Sequence, residues 1–241
     1  MHILKYKKAW LLSLFFVQSM AHADLTISPV QLYITGERQQ RSTTANLTTM
    51  GEKSDRTYEL SVFRWTQDEE GNEVLTPDTD LVVNPKALIL KPDSKKVIRF
   101  GFRQPIDAMN LKQEGTWRVK FTEIPSPLQK TGMNIALNFS VPVFVGSGFK
   151  SDLTFRFGKD QHNNTTLIAK NNGTAHFQIT KFSLQDATGK KLTEVDMMKY
   201  ILPNHQVTIP LKGYTHTSGQ AVKFVMEKET EKDPVIFAIA E

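Results

Sequence analysis

The sequence predicts an all-β protein built from two antiparallel β-sandwiches, and three observations support this fold class. Nearly every periodic stretch alternates apolar and polar residues with a period of two, which is typical of half-buried strands. Clusters of Gly, Pro, Asn and Asp separate these stretches at short intervals, as sandwich turns do. The chain has 241 residues, 39% of them hydrophobic, and no cysteine. This composition suits two cores held by packing alone, without disulfides.

The first 23 residues have the three parts of a secretory signal peptide. A lysine-rich start is followed by an apolar run too short to span a bilayer, and then by a small-x-small cleavage pattern. These parts are Lys5, Lys7 and Lys8, residues 9–17, and residues 21–23. We therefore assign residues 1–23 to a signal peptide and expect a mature chain that begins at Asp24 and resides in the periplasm.

The charge of the mature chain argues against a nucleic-acid partner. The full sequence has a formal charge of +5, but three of its 30 Lys and Arg residues, and none of its 25 acids, lie in residues 1–23. The remaining 27 basic and 25 acidic residues leave +2, which is too weak for a basic nucleic-acid footprint. No later apolar run approaches 18 residues, so we expect no membrane insertion of the mature chain.

The best domain boundary is the Gly-Ser-Gly stretch at residues 146–148. It follows a strongly apolar segment and precedes a new strand pattern, which is what a linker between two sandwiches would do. We therefore predict one domain over residues 24–146 and a second over residues 149–241.

The opening strand is predicted to bend at Pro29, because its apolar phase changes there. A one-residue slip in phase moves the side chains to the opposite face, so this strand should pass from one sheet to the other. Its two apolar sets are Leu25 with Ile27, and Val30 with Leu32 and Ile34. Short helical turns are expected near residues 106–112 and 195–200.

Residues 133–145 carry the most informative pattern, because every odd position is apolar and no position is charged. The alternation alone fits a core strand of a sandwich. However, Pro142 lacks an N–H group and belongs on a sheet edge or where pairing ends, and soluble proteins rarely leave a long uncharged apolar edge open. Either something covers this strand or it pairs with another chain. The apolar positions are Met133, Ile135, Leu137, Phe139, Val141, Val143 and Val145.

Seven short motifs, in this order after a signal peptide, resemble the periplasmic chaperones of fimbrial (pilus) assembly. They are ISPV (27–30), VFRWTQ (62–67), ILKPDSKKVIRF (89–100), WRVKFTEIP (117–125), NIALNFSVPVFV (134–145), NNGTAHF (171–177) and YILPNH (200–205). The resemblance covers the whole mature chain. It implies two immunoglobulin-like domains in a boomerang arrangement.

The resemblance also implies a function without catalysis and without a cofactor. Such a chaperone binds one pilus subunit, lends it a missing β-strand and delivers it to an outer-membrane usher. A free chaperone can cap its own donor strand by self-association. At the matching positions Met133, Ile135, Leu137 and Phe139 would be the donor side chains that fill the open groove of the subunit.

Two departures concern the cations that clamp the subunit's terminal carboxylate in the best-known members. Gln31 and Pro142 stand at the matching positions, so this basic pair is absent. The SVPVFV pattern and the arginine of WRVKF resemble the archaic, or alternative, branch instead. Arg118 and Lys120 share one strand face, so they are the candidate carboxylate anchor, although two solvated cations on an exposed sheet face would give the same pattern. A charged triad that braces the domains elsewhere in the family is incomplete: Glu123 matches its acid, but Gly146 replaces its arginine.

Other functions have weaker support in the sequence. A two-domain adhesin or carbohydrate-binding protein is the main alternative, but it would need exposed aromatic platforms, and we expect Trp65 and Trp117 to fill the first sandwich instead. A pilus subunit would have one incomplete domain and a donor segment at its own N-terminus. We predict no metal site, because the four histidines of the mature chain are not paired at ligand spacing. These are His162, His176, His205 and His216.

Overall fold

The computed structural model describes residues 24–52, 54–125, 136–227 and 233–240. Almost all regular structure in these residues is β-strand, with two short 3-10 helices at Glu37–Gln39 and Ile106–Met109. Neither helix is long and apolar enough to cross a membrane. The predicted all-β fold class is confirmed.

The described residues up to Gly146 contain ten strands in two sheets. The strands are β1 (Asp24–Ser28), β2 (Leu32–Ile34), β3 (Ser42–Met50), β4 (Arg56–Gln67), β5 (Glu73–Pro77), β6 (Leu81–Asn84), β7 (Ala87–Leu90), β8 (Lys95–Phe102), β9 (Gly115–Ile124) and β10 (Phe139–Val145). One sheet has the order β1-β3-β8-β6, and the other has the order β2-β10-β9-β4-β5, with β7 also paired to β4. Alternate residues of both sheets bury their side chains in one shared core, as a β-sandwich requires.

The opening strand bends as the phase change predicted. β1 pairs with β3 in the four-stranded sheet, whereas β2 runs parallel to β10 in the opposite sheet. Pro29 lies between them. The chain therefore crosses the sandwich at this point, and its second half becomes the neighbour of the strand with the long alternating pattern.

The second part of the chain forms another β-sandwich. Its strands are β11 (Leu153–Lys159), β12 (Thr165–Asn171), β13 (Phe177–Ile179), β14 (Phe182–Asp186), β15 (Lys191–Val195), β16 (Lys199–Ile201), β17 (Gln206–Pro210), β18 (Val222–Met226) and β19 (Val235–Ala240). Seven of them form a sheet in the order β15-β14-β18-β19-β11-β12-β17, and β13 pairs with β16. In the part of the chain that the structure describes, no strand before Gly146 pairs with a strand after it.

One of the two predicted helical turns is wrong. The turn expected near residues 106–112 is the 3-10 helix Ile106–Met109. The turn expected over residues 195–200 is absent, because β15 ends at Val195 and β16 begins at Lys199. Tyr200 pairs with Gln178 of β13, and this pairing uses the backbone groups that a helical turn would need.

An apolar cluster joins the two sandwiches and uses one of the two tryptophans assigned to the first core. Trp117 lies in that core as predicted, but Trp65 packs with Phe144 and with Leu202 of the second sandwich. The Trp65 ring also meets the Tyr200 ring edge-on, with 5.3 Å between centroids. The prediction for Trp65 is thus wrong, because its partner is more than 130 residues away in the chain.

Buried polar contacts fix the same boundary. The side-chain amide of Gln67 donates a hydrogen bond to the carbonyl of Tyr200 (2.9 Å) and accepts one from the N–H of Leu202 (2.8 Å). Gln67 is buried, so breaking these bonds would leave unpaired polar groups away from water. The two sandwiches are therefore held by an interface with specific geometry.

Candidate functional site

The strand with the alternating pattern has one open edge. β10 pairs with β9 along its whole length, from Phe139 opposite Phe121 to Val145 opposite Gly115. On its other side β2 pairs only with residues 143–145. Among the described residues, residues 139–142 thus pair with a neighbouring strand on the β9 side only. We call residues 136–142, which include the three residues before β10, the open edge.

Pro142 lies at the end of the open edge, as its missing N–H group predicted. The N–H of Gly146 donates to the carbonyl of Ile34, so backbone groups at even positions of this segment face the β2 side. The nitrogen of Pro142 faces the same side, one residue before pairing with β2 begins. The proline therefore costs no ladder hydrogen bond within this chain.

The apolar side chains of β10 change from core to surface along the strand. Val141, Val143 and Val145 are fully buried in the first core, whereas Leu137 is 41% exposed. Phe139 is intermediate: its ring stacks on Phe121 with 4.6 Å between centroids. Of the predicted donor side chains that the structure describes, Leu137 is thus exposed, whereas Phe139 packs against the first core. Met133 and Ile135 lie outside the described residues.

Arg118 does lie beside the open edge, on the face opposite the buried Val119 and Phe121. Its guanidinium lies over the Trp65 ring, with 4.0 Å from Cζ to the ring centroid, which is a cation–π distance. Its Nη1 is 3.5 Å from the hydroxyl oxygen of Ser140 on the open edge. The arginine is therefore held flat, with one side turned towards β10.

Arg118 is also paired with a carboxylate of its own chain. Its Nε is 2.8 Å from Oε1 of Glu73, which lies on β5 two strands away. The contact is an ion pair and not a hydrogen bond, since the buried Nε–H of Arg118 is not aligned with any acceptor. The side chain of Glu73 is 40% exposed, so solvent weakens the attraction.

Lys120 is exposed and lies next to Arg118 on the same face of β9, as predicted. Its Nζ is 5.0 Å from the centroid of the Phe63 ring. In register it lies opposite Ser140. Lys120 therefore brings a second positive charge to the open edge, but it does not share the carboxylate that pairs with Arg118.

Gln31 takes no part in this cationic face. Its side-chain nitrogen donates to the Gln178 side-chain oxygen (2.7 Å) and to the Tyr200 hydroxyl (2.8 Å), and its oxygen accepts from the Tyr33 hydroxyl (2.8 Å). Gln31 thus bridges the two sandwiches. Together with Tyr33 and Gln178 it lines a cavity of about 1120 Å³ between them, which Met197 of the second sandwich also lines.

The suggested match of Glu123 to an interdomain triad is wrong. Glu123 lies at the far end of β9 from the second sandwich, where its carboxylate contacts Arg56 (3.0 Å) and the N–H of Leu137 (2.7 Å). The acid at the boundary is Glu114, which accepts hydrogen bonds from the N–H and the ring Nδ1 of His176. The two acids lie at opposite ends of β9. Glu114 directly precedes the strand at the end near the second sandwich, whereas Glu123 lies nine residues further along the chain.

The Glu114 contact also changes the acidity of a neighbour. Burial and the negative charge of Glu114 raise the pKa of Tyr33 to about 12. The Tyr33 hydroxyl is protonated near neutral pH even at its ordinary pKa, so the raised pKa extends its ability to donate to Gln31 further into the alkaline range.

Three residues of this site make contacts that the sequence does not indicate. Glu73, Tyr200 and Asn138 occur in ordinary turn or strand patterns, and nothing in their spacing indicates their partners. Glu123 does stand out in the sequence, but the resemblance gives it an interdomain role instead of the contact with Leu137.

Comparison with known proteins relates this geometry to solved structures. No protein-family model and no curated protein matches the sequence. A chain in the crystal structure of the CsuC–CsuE chaperone–tip adhesion subunit pre-assembly complex, from archaic chaperone–usher Csu pili of Acinetobacter baumannii, is similar in structure. It has a TM-score of 0.65 and 18% identity, and the match covers 90% of this chain and 98% of that one.

The crystal structures of two further chaperones are similar too. The YadV chaperone has a TM-score of 0.62 and 14% identity, with 90% of this chain and all of that chain covered. The Pseudomonas aeruginosa CupB2 chaperone has a TM-score of 0.58 and 12% identity, with 89% and 100% covered. At these identities the comparison establishes the fold: this chain has the two-sandwich fold of chaperone–usher pilus chaperones, including one from an archaic system, as its motifs implied.

Proposed function

We propose that this chain is a non-enzymatic periplasmic chaperone that binds pilus subunits by lending them the open edge as a β-strand. The observation that carries the proposal is the open edge itself: in the part of the chain that the structure describes, its strand residues pair with β9 alone, and Leu137 near its start is exposed. The fold supports it, because one similar solved structure is a chaperone–subunit complex of Csu pili and two others are chaperones. Strand addition would supply main-chain hydrogen bonds for affinity and side-chain pockets for specificity.

The donor side chains divide by their own burial. Leu137 projects from the chain and would enter the groove of the subunit with Met133 and Ile135. Phe139 already packs on Phe121, so its exposed edge would touch the subunit while its ring stays in the first core. Burying one such side chain contributes about 1.5–3 kcal/mol.

Arg118 is the anchor that the geometry favours for a terminal carboxylate of the subunit. The guanidinium of Arg118 packs on the face of the Trp65 ring, and Nη1 of Arg118 is turned towards Ser140 on the open edge. A carboxylate placed there would meet the planar fork that it prefers, with Lys120 nearby. Delivery of the subunit to an outer-membrane usher and export through residues 1–23 complete the proposal.

The function is tested by co-expression with the secreted proteins encoded beside this gene. The chaperone is expected in the osmotic-shock fraction, beginning at Asp24, in a one-to-one complex with a protein that is degraded in its absence. A chain that stays in the membrane fraction with Met1 intact, or that stabilises none of these proteins, would contradict the proposal.

Glu73→Gln is expected to tighten subunit binding. The change removes a carboxylate that competes for Arg118, and exposed pairs of this kind contribute about 0.2–1 kcal/mol, or about a 1.4- to fivefold change in Kd. Titration of the purified complex at low salt measures it. Glu70→Gln, in the hairpin turn on the same side of β5, is the matched control. Weaker binding by Glu73→Gln would show that Glu73 positions the arginine instead of competing for it.

A further inference from the structure

The residues just before β10 are hydrogen-bonded to β9 beyond the last pair of the ladder, but through side chains. Pairing ends with Phe139 opposite Phe121, so continuing the register by two residues would place Leu137 opposite Glu123 as the next hydrogen-bonded pair. In a regular antiparallel ladder these two residues would exchange two main-chain hydrogen bonds. Here both bonds are replaced by side-chain contacts.

The replacement is reciprocal. The N–H of Leu137 donates to the carboxylate Oε2 of Glu123 (2.7 Å), and the N–H of Glu123 donates to the side-chain oxygen of Asn138 (2.9 Å). Each of the two N–H groups thus has a hydrogen-bond acceptor without a regular ladder pair. These bonds tie Leu137 to β9 two residues before the strand itself begins at Phe139.

The carboxylate that holds Leu137 is itself fixed. Arg56 Nη1 lies 3.0 Å from Oε2 of Glu123, and Arg56 Nε lies 2.9 Å from Oε1 of Glu52. The side chains of Glu52, Arg56 and Glu123 are 9%, 22% and 14% exposed. Because the arginine bridges two shielded acids, the Glu123 carboxylate has little freedom to leave the Leu137 N–H.

We propose that Glu123 and Asn138 are positioning residues that hold Leu137 extended before a partner strand arrives. This inference rests on the proposed function and adds to it the groups that prepare the donor segment. With Leu137 tied to β9, strand alternation turns the backbone groups of Ala136 and Asn138 towards the open edge, where an incoming strand would bind. Ordering a segment in advance removes part of the conformational entropy that binding would otherwise cost.

Amide exchange of the free chain tests this directly. In the wild type the Leu137 amide is expected to be protected, and Glu123→Ala is expected to raise its exchange rate at least tenfold. Asn138→Ala is expected to expose the Glu123 amide instead. The amides of Phe139 and Phe121 should stay protected in both variants. General loss of stability would not produce this crossed pattern.

Glu59→Ala is the matched control, because Glu59 is an exposed acid on the neighbouring strand β4, opposite Thr122. It removes the same charge without touching Leu137. A Leu137 amide that exchanges as fast in the wild type as in Glu123→Ala would overturn the proposal.

Subunit binding provides the second measurement. Glu123→Ala is expected to slow association with the subunit about tenfold while Leu137 and Arg118 remain in place. If Glu123→Ala loses the protection of the Leu137 amide but associates with the subunit as fast as the wild type, the claim that Glu123 and Asn138 prepare the strand for binding is overturned. If the wild type captures no subunit, the proposed function fails, whereas the amide pattern still decides whether Glu123 holds Leu137.

Discussion

Leu137→Asp is expected to abolish subunit capture while the chain stays folded. The side chain is 41% exposed and lies outside the ladder, so an aspartate there remains solvated in the free chain. In a complex the same carboxylate would enter an apolar groove with no partner, which is strongly unfavourable. Loss of about 1.5–3 kcal/mol of burial adds to this cost, so Kd should rise more than a hundredfold.

Co-purification and circular dichroism measure the two parts of this result. Val97→Asp is a suitable control, because Val97 is also an exposed apolar strand residue but lies on β8 in the other sheet. It should bind the subunit as the wild type does. If Leu137→Asp unfolds the chain, the segment is an ordinary core strand. If it is folded and retains the subunit, this residue is not a donor.

The contrast between Leu137 and Val141 shows why the alternating pattern alone could not decide the function. Both residues belong to one uninterrupted apolar phase, yet Val141 is fully buried and Leu137 is not. Val141 lies within the ladder with β9, whereas Leu137 lies beyond the last pair of that ladder at Phe139. A pattern of period two reports which side chains share a face, and it does not report where a neighbouring strand ends.

Local chemistry predicted much of the rest. The phase shift at Pro29 predicted the crossing between sheets, Pro142 indicated an edge, and alternation placed Arg118 opposite Val119. Each of these inferences needs only the geometry of one strand. The predicted boundary at residues 146–148 is of the same kind, and it stays a prediction.

Long-range contacts could not be predicted in this way. Trp65 was assigned to the first core, but its partner Leu202 belongs to the second sandwich. Strand alternation makes Arg118 a candidate anchor, but it does not indicate that Glu73 on β5 lies beside it. Both contacts depend on strand order, and many strand orders are compatible with one set of alternating segments.

Arg118→Ala is the second change with a large expected effect: it should weaken subunit binding about ten- to a hundredfold while sparing the fold. A charge-assisted contact with a terminal carboxylate contributes about 1.5–3 kcal/mol, which corresponds to that range. The free chain should lose about 0.5–1 kcal/mol from the contact with Trp65, because the cation–π pair is lost. Glu73 would be left unpaired, but it is exposed enough to be solvated.

Three further variants separate an anchor from a surface charge. Arg118→Lys should not restore full binding, because an ammonium group lacks the planar fork and would leave the Ser140 side of the site empty. Lys120→Ala should have an intermediate effect, because its Nζ lies over Phe63 and contributes charge without a fixed geometry. Arg99→Ala is the control: Arg99 is exposed on β8 in the opposite sheet, so its loss should not change Kd.

The charge at the C-terminus of a bound peptide gives the sharpest form of this test. A synthetic peptide of the subunit's last strand should bind more weakly when its terminal carboxylate is amidated, and Arg118→Ala should remove that difference. Since amidation and the arginine change act on the same contact, their effects should not add. If the two effects are additive, or if Arg118→Ala binds the subunit as tightly as the wild type, the arginine is a solvated surface charge. Affinity would then depend on the open edge and Leu137 alone.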